Sequence, residues 1–206
     1  MPATNDNMGR KNLSDQRKKE IVIAFYEVSK SIGLENVSIA NLANHMGISK
    51  GLVMHYYETK EQILEDLNTY ILEAYIDFIN NSTPNKIDSK ASLENFIRKM
   101  FTREWSEYVD DGVFYSLYAM LFRNKNVSES FKTFSNILRE VLKSKLNSAK
   151  SHGVITNSNI DELNEIIFAM IDGSYFYLST QVTNHEICTK QSNIYINHIL
   201  SLFRFS

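Results

Sequence analysis

Residues 38–64 read SIANLANHMGISKGLVMHYYETKEQIL, and the reading of this stretch decides the fold. Ser38 is a suitable N-cap for a short helix through Ile39, Leu42, Ala43 and Met46, which Gly47 ends. Ser49 caps a further helix reaching Met54 or His55. Helices of one to two turns are too short to persist alone, so flanking helices must brace them. Upstream, Ile21, Phe25, Val28 and Ile32 recur at helical spacing between a Ser14 cap and Gly33. Downstream, Thr59 and Gln62 have capping-box spacing and open a helix carrying Ile63, Leu67, Tyr70, Ile71, Tyr75, Phe78 and Ile79. That helix spans about twenty residues, roughly 30 Å, enough to join two modules. Ala40 and Ala43 suit a close helix crossing, and Ile48 after Gly47 is placed to plug a small core. This is the helix-turn-helix arrangement, whose second short helix enters the major groove of DNA.

The rest of the chain is also helical in pattern. Prolines occur only at positions 2 and 84, and no long segment alternates in the manner of a strand. Asn80 to Ser89, NNSTPNKIDS, reads as a loop. Helices are expected over about 90–107, 111–124, 128–149, 160–181 and 186–203, with a break at Lys150 to Asn159. The expected architecture is all-α with about nine helices: a three-helix DNA-binding domain over 1–58, then a helical effector-binding and dimerisation domain over 59–206.

Composition narrows the function classes. Apolar residues make up 43% of 206, enough for a sizeable core. No apolar run approaches the roughly 20 residues needed to cross a bilayer, and the polar start MPATNDNMGRKN is unlike a secretory signal. A single cysteine, Cys188, fits a reducing cytoplasm and reads as a buried small hydrophobe. The five histidines show no metal-ligand spacing, and nucleophile elbows and phosphate loops are missing. An enzyme, a metal site and a cofactor are therefore not expected. Net charge is -2, yet Arg10, Lys11, Arg17, Lys18 and Lys19 are opposed within their stretch only by Asp15. Phosphates sense such local charge within roughly 10 Å at moderate salt.

Eight residues are candidates for DNA contact: Ser38, Ser49, Lys50, Gly51, Leu52, His55, Tyr56 and Lys60. Backbone N–H groups over Ser49 to Gly51 can donate to a phosphate. Lys50 suits either a phosphate or a guanine edge, and Leu52 a thymine methyl. Gly51 removes bulk where a backbone must approach closely. His55 fits a base, a phosphate or plain solvent; Tyr56 offers a hydroxyl to the DNA backbone. Tyr57 is read instead as a core aromatic. Ser38 and Thr59 are caps whose hydroxyls can also reach phosphates. Lys60 stands in the first turn of its helix, where the dipole disfavours a cation, so an outside anion explains it better than folding does.

Residues 14–64 resemble the DNA-binding domain of the TetR family of bacterial repressors. The resemblance is carried by Ser38, by Ile39 and Ala40, by Gly47, Ile48, Ser49, Lys50 and Gly51, by His55, Tyr56 and Tyr57, and by Lys60 to Ile63. Met54 stands where many members have a DNA-touching tyrosine, so operator preference does not carry over. The resemblance implies a homodimer that binds a roughly palindromic double-stranded operator and releases it when a small molecule binds. A helix-turn-helix scaffold acting through protein contacts is the alternative, and repressor and activator roles stay open.

Past residue 80, large apolar residues recur at helical spacing, and the last two long helices can meet their symmetry mates as a four-helix bundle. Gly173 within one of them suits a close crossing at such a seam. Phe168 to Phe176 resembles the corresponding helix of choline-responsive TetR members. Trp105, Tyr108, Phe114, Tyr115 and Tyr118 are the candidate ligand pocket, with Glu104, Glu107, Asp110 or Asp111 for negative charge. They suit a cationic effector through cation–π attraction, or a lipophilic one; the competing reading is an ordinary aromatic core.

Overall fold

The computed structural model describes residues 5–102, 104–181 and 183–206, with side chains from residue 12 onward. Nine α-helices occur among the described residues: α1 (Asn5–Ile32), α2 (Ile39–Met46), α3 (Lys50–Tyr56), α4 (Lys60–Ser82), α5 (Lys90–Met100), α6 (Asp111–Ala119), α7 (Lys125–Ser151), α8 (Ile160–Ser179) and α9 (His185–Leu202). The class is all-α, as the periodicity indicates. The helices gather into two compact units, one made of the chain up to Ala74 with Val109–Phe134, the other of Tyr75–Tyr108 with Ser135–Ser206.

In the first unit, α1 buries Ile21, Phe25 and Val28, the face set by their spacing, against α2, α3 and α6. Ile32, on the same expected face, is 41% exposed because α1 ends there and Gly33 turns the chain away with a φ of 84°. α1 starts well before the expected Ser14 cap. Gly9 is the weakest helix former in between, and it costs only about 1 kcal/mol, too little to stop a helix continuing backwards from a packed segment. The Tyr26 hydroxyl accepts the Asp110 N–H at 2.7 Å, and buried Asn68 donates from Nδ2 to Ser130 Oγ at 2.7 Å.

The second unit is built on Phe96, Ile97, Trp105, Leu146, Ile167, Ile196 and Ile199, each at most 5% exposed. Its chain terminus is pinned by a short antiparallel bridge between Ile155 and Phe205, with Thr156 N–H donating to the Arg204 carbonyl at 2.7 Å. The expected helix over 90–107 divides: α5 stops at Met100, and a 3-10 turn takes Glu104–Glu107. Thr102 Oγ1 donates to the Lys99 carbonyl at 3.1 Å, and the Phe101 N–H closes a tighter bond to Arg98, so the α-pattern is lost locally. α7 begins earlier than expected because Asn124 Oδ1 accepts both the Asn126 and Val127 N–H groups.

Candidate nucleic-acid interface

The turn between α2 and α3 is fixed by local chemistry. Ser38 Oγ accepts the Asn41 N–H while Asn41 Oδ1 accepts the Ser38 N–H, a reciprocal box at the start of α2. Gly47 closes α2 in the left-handed conformation at φ 65°, and the Ile48 N–H returns to the Ala43 carbonyl at 3.0 Å. Ser49 Oγ then accepts the Leu52 N–H at 3.2 Å and opens α3. At the next junction Thr59 caps α4, but the Gln62 side chain accepts the Glu58 N–H, one residue before the position a standard box would use.

α3 divides cleanly between inside and outside. Val53 and Tyr57 are buried, Leu52 and Tyr56 half-buried, and Lys50, Gly51, Met54 and His55 exposed. The exposed face thus carries Lys50 and His55 together, with His55 packed edge-on against Tyr56 at 5.1 Å between ring centres. Among the described residues no carboxylate pairs with Lys50. A methyl group at Gly51 would meet only Ser49 Oγ, at 3.9 Å, and the residue lies within a regular helix. Nothing inside the chain therefore requires glycine there.

Tyr57 is a core aromatic, as its position implies: it is 1% exposed and its hydroxyl donates to Asp66. Burial pushes its phenol well above the usual tyrosine range, and the neighbouring Asp66 adds to the shift. Lys60 has a structural partner that the sequence did not suggest. Its half-buried ammonium donates to the Leu34 carbonyl at 3.2 Å and lies 5.9 Å from the Phe25 ring centre. Burial lowers its pKa, against the pull of Glu61 and Glu35. The folded unit thus supplies a reason for a lysine at the first turn of α4, where sequence reasoning found none. In the basic N-terminal stretch, Arg17 pairs with Glu20 at 2.7 Å, Lys18 lies over the Tyr57 ring and Lys19 is exposed. The side chains of Arg10 and Lys11 lie outside the described residues.

The five aromatic residues expected to line one ligand pocket belong to different units. Trp105 and Tyr108 are in the second, where Trp105 stacks on Tyr75 and meets Tyr175 edge-on, and Tyr108 packs on Phe78. Phe114, Tyr115 and Tyr118 are in the first, grouped with Phe131. The Trp105 cluster thus also takes in Tyr75, which helical spacing placed on the apolar face of α4, and Tyr175, which lies in the stretch that resembles the choline-responsive helix. Of the acidic candidates, Glu104 pairs with Lys99 at 2.6 Å and Asp110 Oδ1 caps α6 by accepting the Val113 N–H. On α8 and α9, Ile166, Phe176, Ile187 and Ile194 are exposed, and no neighbour lies within 4 Å of a methyl group placed at Gly173. Among the described residues no cluster of ligating side chains could hold a metal ion, and no helix is long and apolar enough to cross a membrane.

Comparison with known proteins gives this geometry a context. Residues 26–67 match the family described as bacterial regulatory proteins, tetR family, and residues 88–205 match the tetracyclin repressor-like C-terminal domain. The HTH-type transcriptional regulator BetI of Escherichia coli O17:K52:H18 is 20% identical over 181 residues, covering 81% of this chain and 84% of that protein. A transcriptional regulator from Rhodococcus sp. Rha1 has the same fold at TM-score 0.71 and 16% identity, with 92% of this chain and 98% of that one covered. A regulator from Saccharomonospora viridis, solved in complex with choline, superposes at TM-score 0.66 and 17% identity over 90% of this chain and 94% of that one. The C-terminal match alone spans more than half of the sequence, and the N-terminal match falls on the α2–α3 unit. The chain is a DNA-binding regulator, and it belongs to the TetR family of bacterial regulatory proteins.

Proposed function

We propose that the chain is a dimeric repressor that holds a palindromic operator through α3 and lets go when a small molecule binds the helical part beyond residue 58. The observation that carries this reading is the outward face of α3, where Lys50, Gly51 and His55 are exposed and no packing demand of the chain accounts for the glycine. Lys50 meets a phosphate or a guanine edge, Leu52 a thymine methyl, and His55 and Tyr56 the groove wall and backbone. Ser38, Ser49 and Lys60 flank this set. The Ser38 and Ser49 hydroxyls keep their cap bonds and present their remaining capacity to phosphates.

Two copies of α3 must lie about 34–36 Å apart to enter successive major grooves on one side of a duplex. The exposed apolar residues of α8 and α9 support pairing of protomers through these helices. Effector binding that displaces α4 would change the separation and weaken both half-sites together, and DNA would weaken effector binding by the same factor. The effector class is cationic or lipophilic. The Trp105, Tyr75 and Tyr175 rings support that class, as does the likeness to a choline-bound regulator.

The test is selection of bound fragments from genomic DNA, followed by titration of the recovered operator at several salt concentrations. A palindrome with half-sites one turn apart and a steep salt dependence is the expected result. Salt-independent or undetectable binding would replace DNA with a protein partner.

A further inference from the structure

A second site is built around Lys145 on α7. This lysine is 8% exposed, and its ammonium donates to the Pro84 carbonyl at 2.6 Å, in the turn that follows α4. An ammonium carries three donors, so one bond to a neutral carbonyl leaves both charge and donors to be met. Among the described residues no carboxylate lies within ion-pair distance of it, although Lys143, two positions away, does pair with Asp161 at 2.8 Å. Burying a cation without a counter-charge is costly, and a structural tie to Pro84 alone could be made by a neutral donor. Burial accordingly lowers the Lys145 pKa, with no acidic neighbour pulling it back.

Lys145 also lines an open cavity of about 580 Å³, where Asn80, Asn85, Asn136, Ser144 and Glu140 offer hydrogen-bonding groups among apolar surface that includes Ile137 and Val141. The volume suits a small molecule, and side-chain amides can both donate to and accept from hydroxyl groups. A phosphate ester or polycarboxylate would need more than one cation, and Glu140 on the same wall opposes accumulated negative charge. One cation with two unused donors fits one carboxylate. We propose that this cavity binds a small hydroxylated monocarboxylate, with the acid group on Lys145 and the hydroxyl groups on the asparagines. The site shares no residue with the aromatic cluster around Trp105, and it stands whether or not the chain proves to be an effector-released repressor.

The probes are gluconate, glycerate and lactate, with glucitol as the uncharged control and inorganic phosphate and citrate as multiply charged ones, all at ionic strength balanced with sodium chloride. Binding to the full chain is followed by calorimetry and by the unfolding midpoint. At least one monocarboxylate should bind saturably and raise the midpoint, while glucitol, phosphate and citrate should not. Lys145→Met keeps the aliphatic stem and should weaken that binding by about tenfold or more, the scale of a charge-assisted hydrogen bond. Asn136→Asp, at an exposed wall position, should do the same by adding a negative charge, and it decides the matter if Lys145→Met fails to fold. No saturable binding by any monocarboxylate overturns the proposal. So does binding that survives Asn136→Asp and a folded Lys145→Met, or equal binding by phosphate.

Discussion

The phenol of Tyr57, the residue that ends α3, donates to the Asp66 carboxylate of α4 across 2.5 Å. The short helix α3 and the long helix α4 are thereby tied by one part-buried, charge-assisted bond from the aromatic residue that fills the core of the small unit. Tyr57→Phe keeps the ring and removes the bond. It should cost about 1–3 kcal/mol in urea unfolding, because half-buried Asp66 loses its donor, and it should weaken DNA binding by loosening the seating of α3. The pH dependence has a definite sign. Tyr57 titrates above the ordinary tyrosine value of 10.0 when folded, so its contribution is complete below that pH and is lost as pH rises beyond it. Wild type should therefore lose stability more steeply than Tyr57→Phe above pH 10. Parallel curves would show that the phenol is not held as described.

Lys60 now has two roles to separate. Its bond to the Leu34 carbonyl predicts that Lys60→Ala lowers the unfolding midpoint. Its proposed contact with a phosphate predicts a uniform loss of affinity across DNA sequences and a drop of about 0.9 in the slope of log affinity against log salt. A lowered midpoint with an unchanged salt slope would leave Lys60 as a strut only.

Gly51 offers the cleanest separation of folding from binding. Alanine at this position gains up to about 1 kcal/mol of helix propensity, and the added methyl meets only Ser49 Oγ at 3.9 Å. Gly51→Ala should therefore leave stability equal or raised while reducing operator affinity, read by urea melts and a fluorescence titration on the same preparation. Undiminished affinity would move the DNA away from the start of α3.

These residues also show what a sequence can reveal. Ser38, Gly47 and Ser49 act within a few positions of themselves, through caps and a left-handed turn, so the α2–α3 unit was legible almost to the residue. Apolar spacing likewise identified the buried face of α1 as Ile21, Phe25 and Val28. The start of α1 was missed because Ser14 has the chemistry of a cap without a break in the helix before it. The Lys60–Leu34 bond joins residues 26 positions apart, and the stacking of Trp105 on Tyr75 joins two helical segments whose pairing no local pattern encodes. Local chemistry was readable, and long-range partners were not.

Gly173 extends the argument to the proposed pairing of protomers. It lies exposed inside α8, three residues before the exposed ring of Phe176 and seven after exposed Ile166, and a methyl group there would meet no neighbour within 4 Å. Glycine in a helix interior costs about 1 kcal/mol against alanine, so a single chain gains nothing from it. A helix from a second copy crossing closely at this point would explain the missing side chain. Gly173→Leu should then leave the protomer folded, with helical content equal or higher, while weakening self-association in sedimentation equilibrium. Operator binding should fall with it, because in the proposed dimer each protomer reads one half-site and the two would no longer engage together. If Gly173→Leu assembles as tightly as wild type, the seam does not pass through this turn of α8, and the exposed residues around it require a different partner.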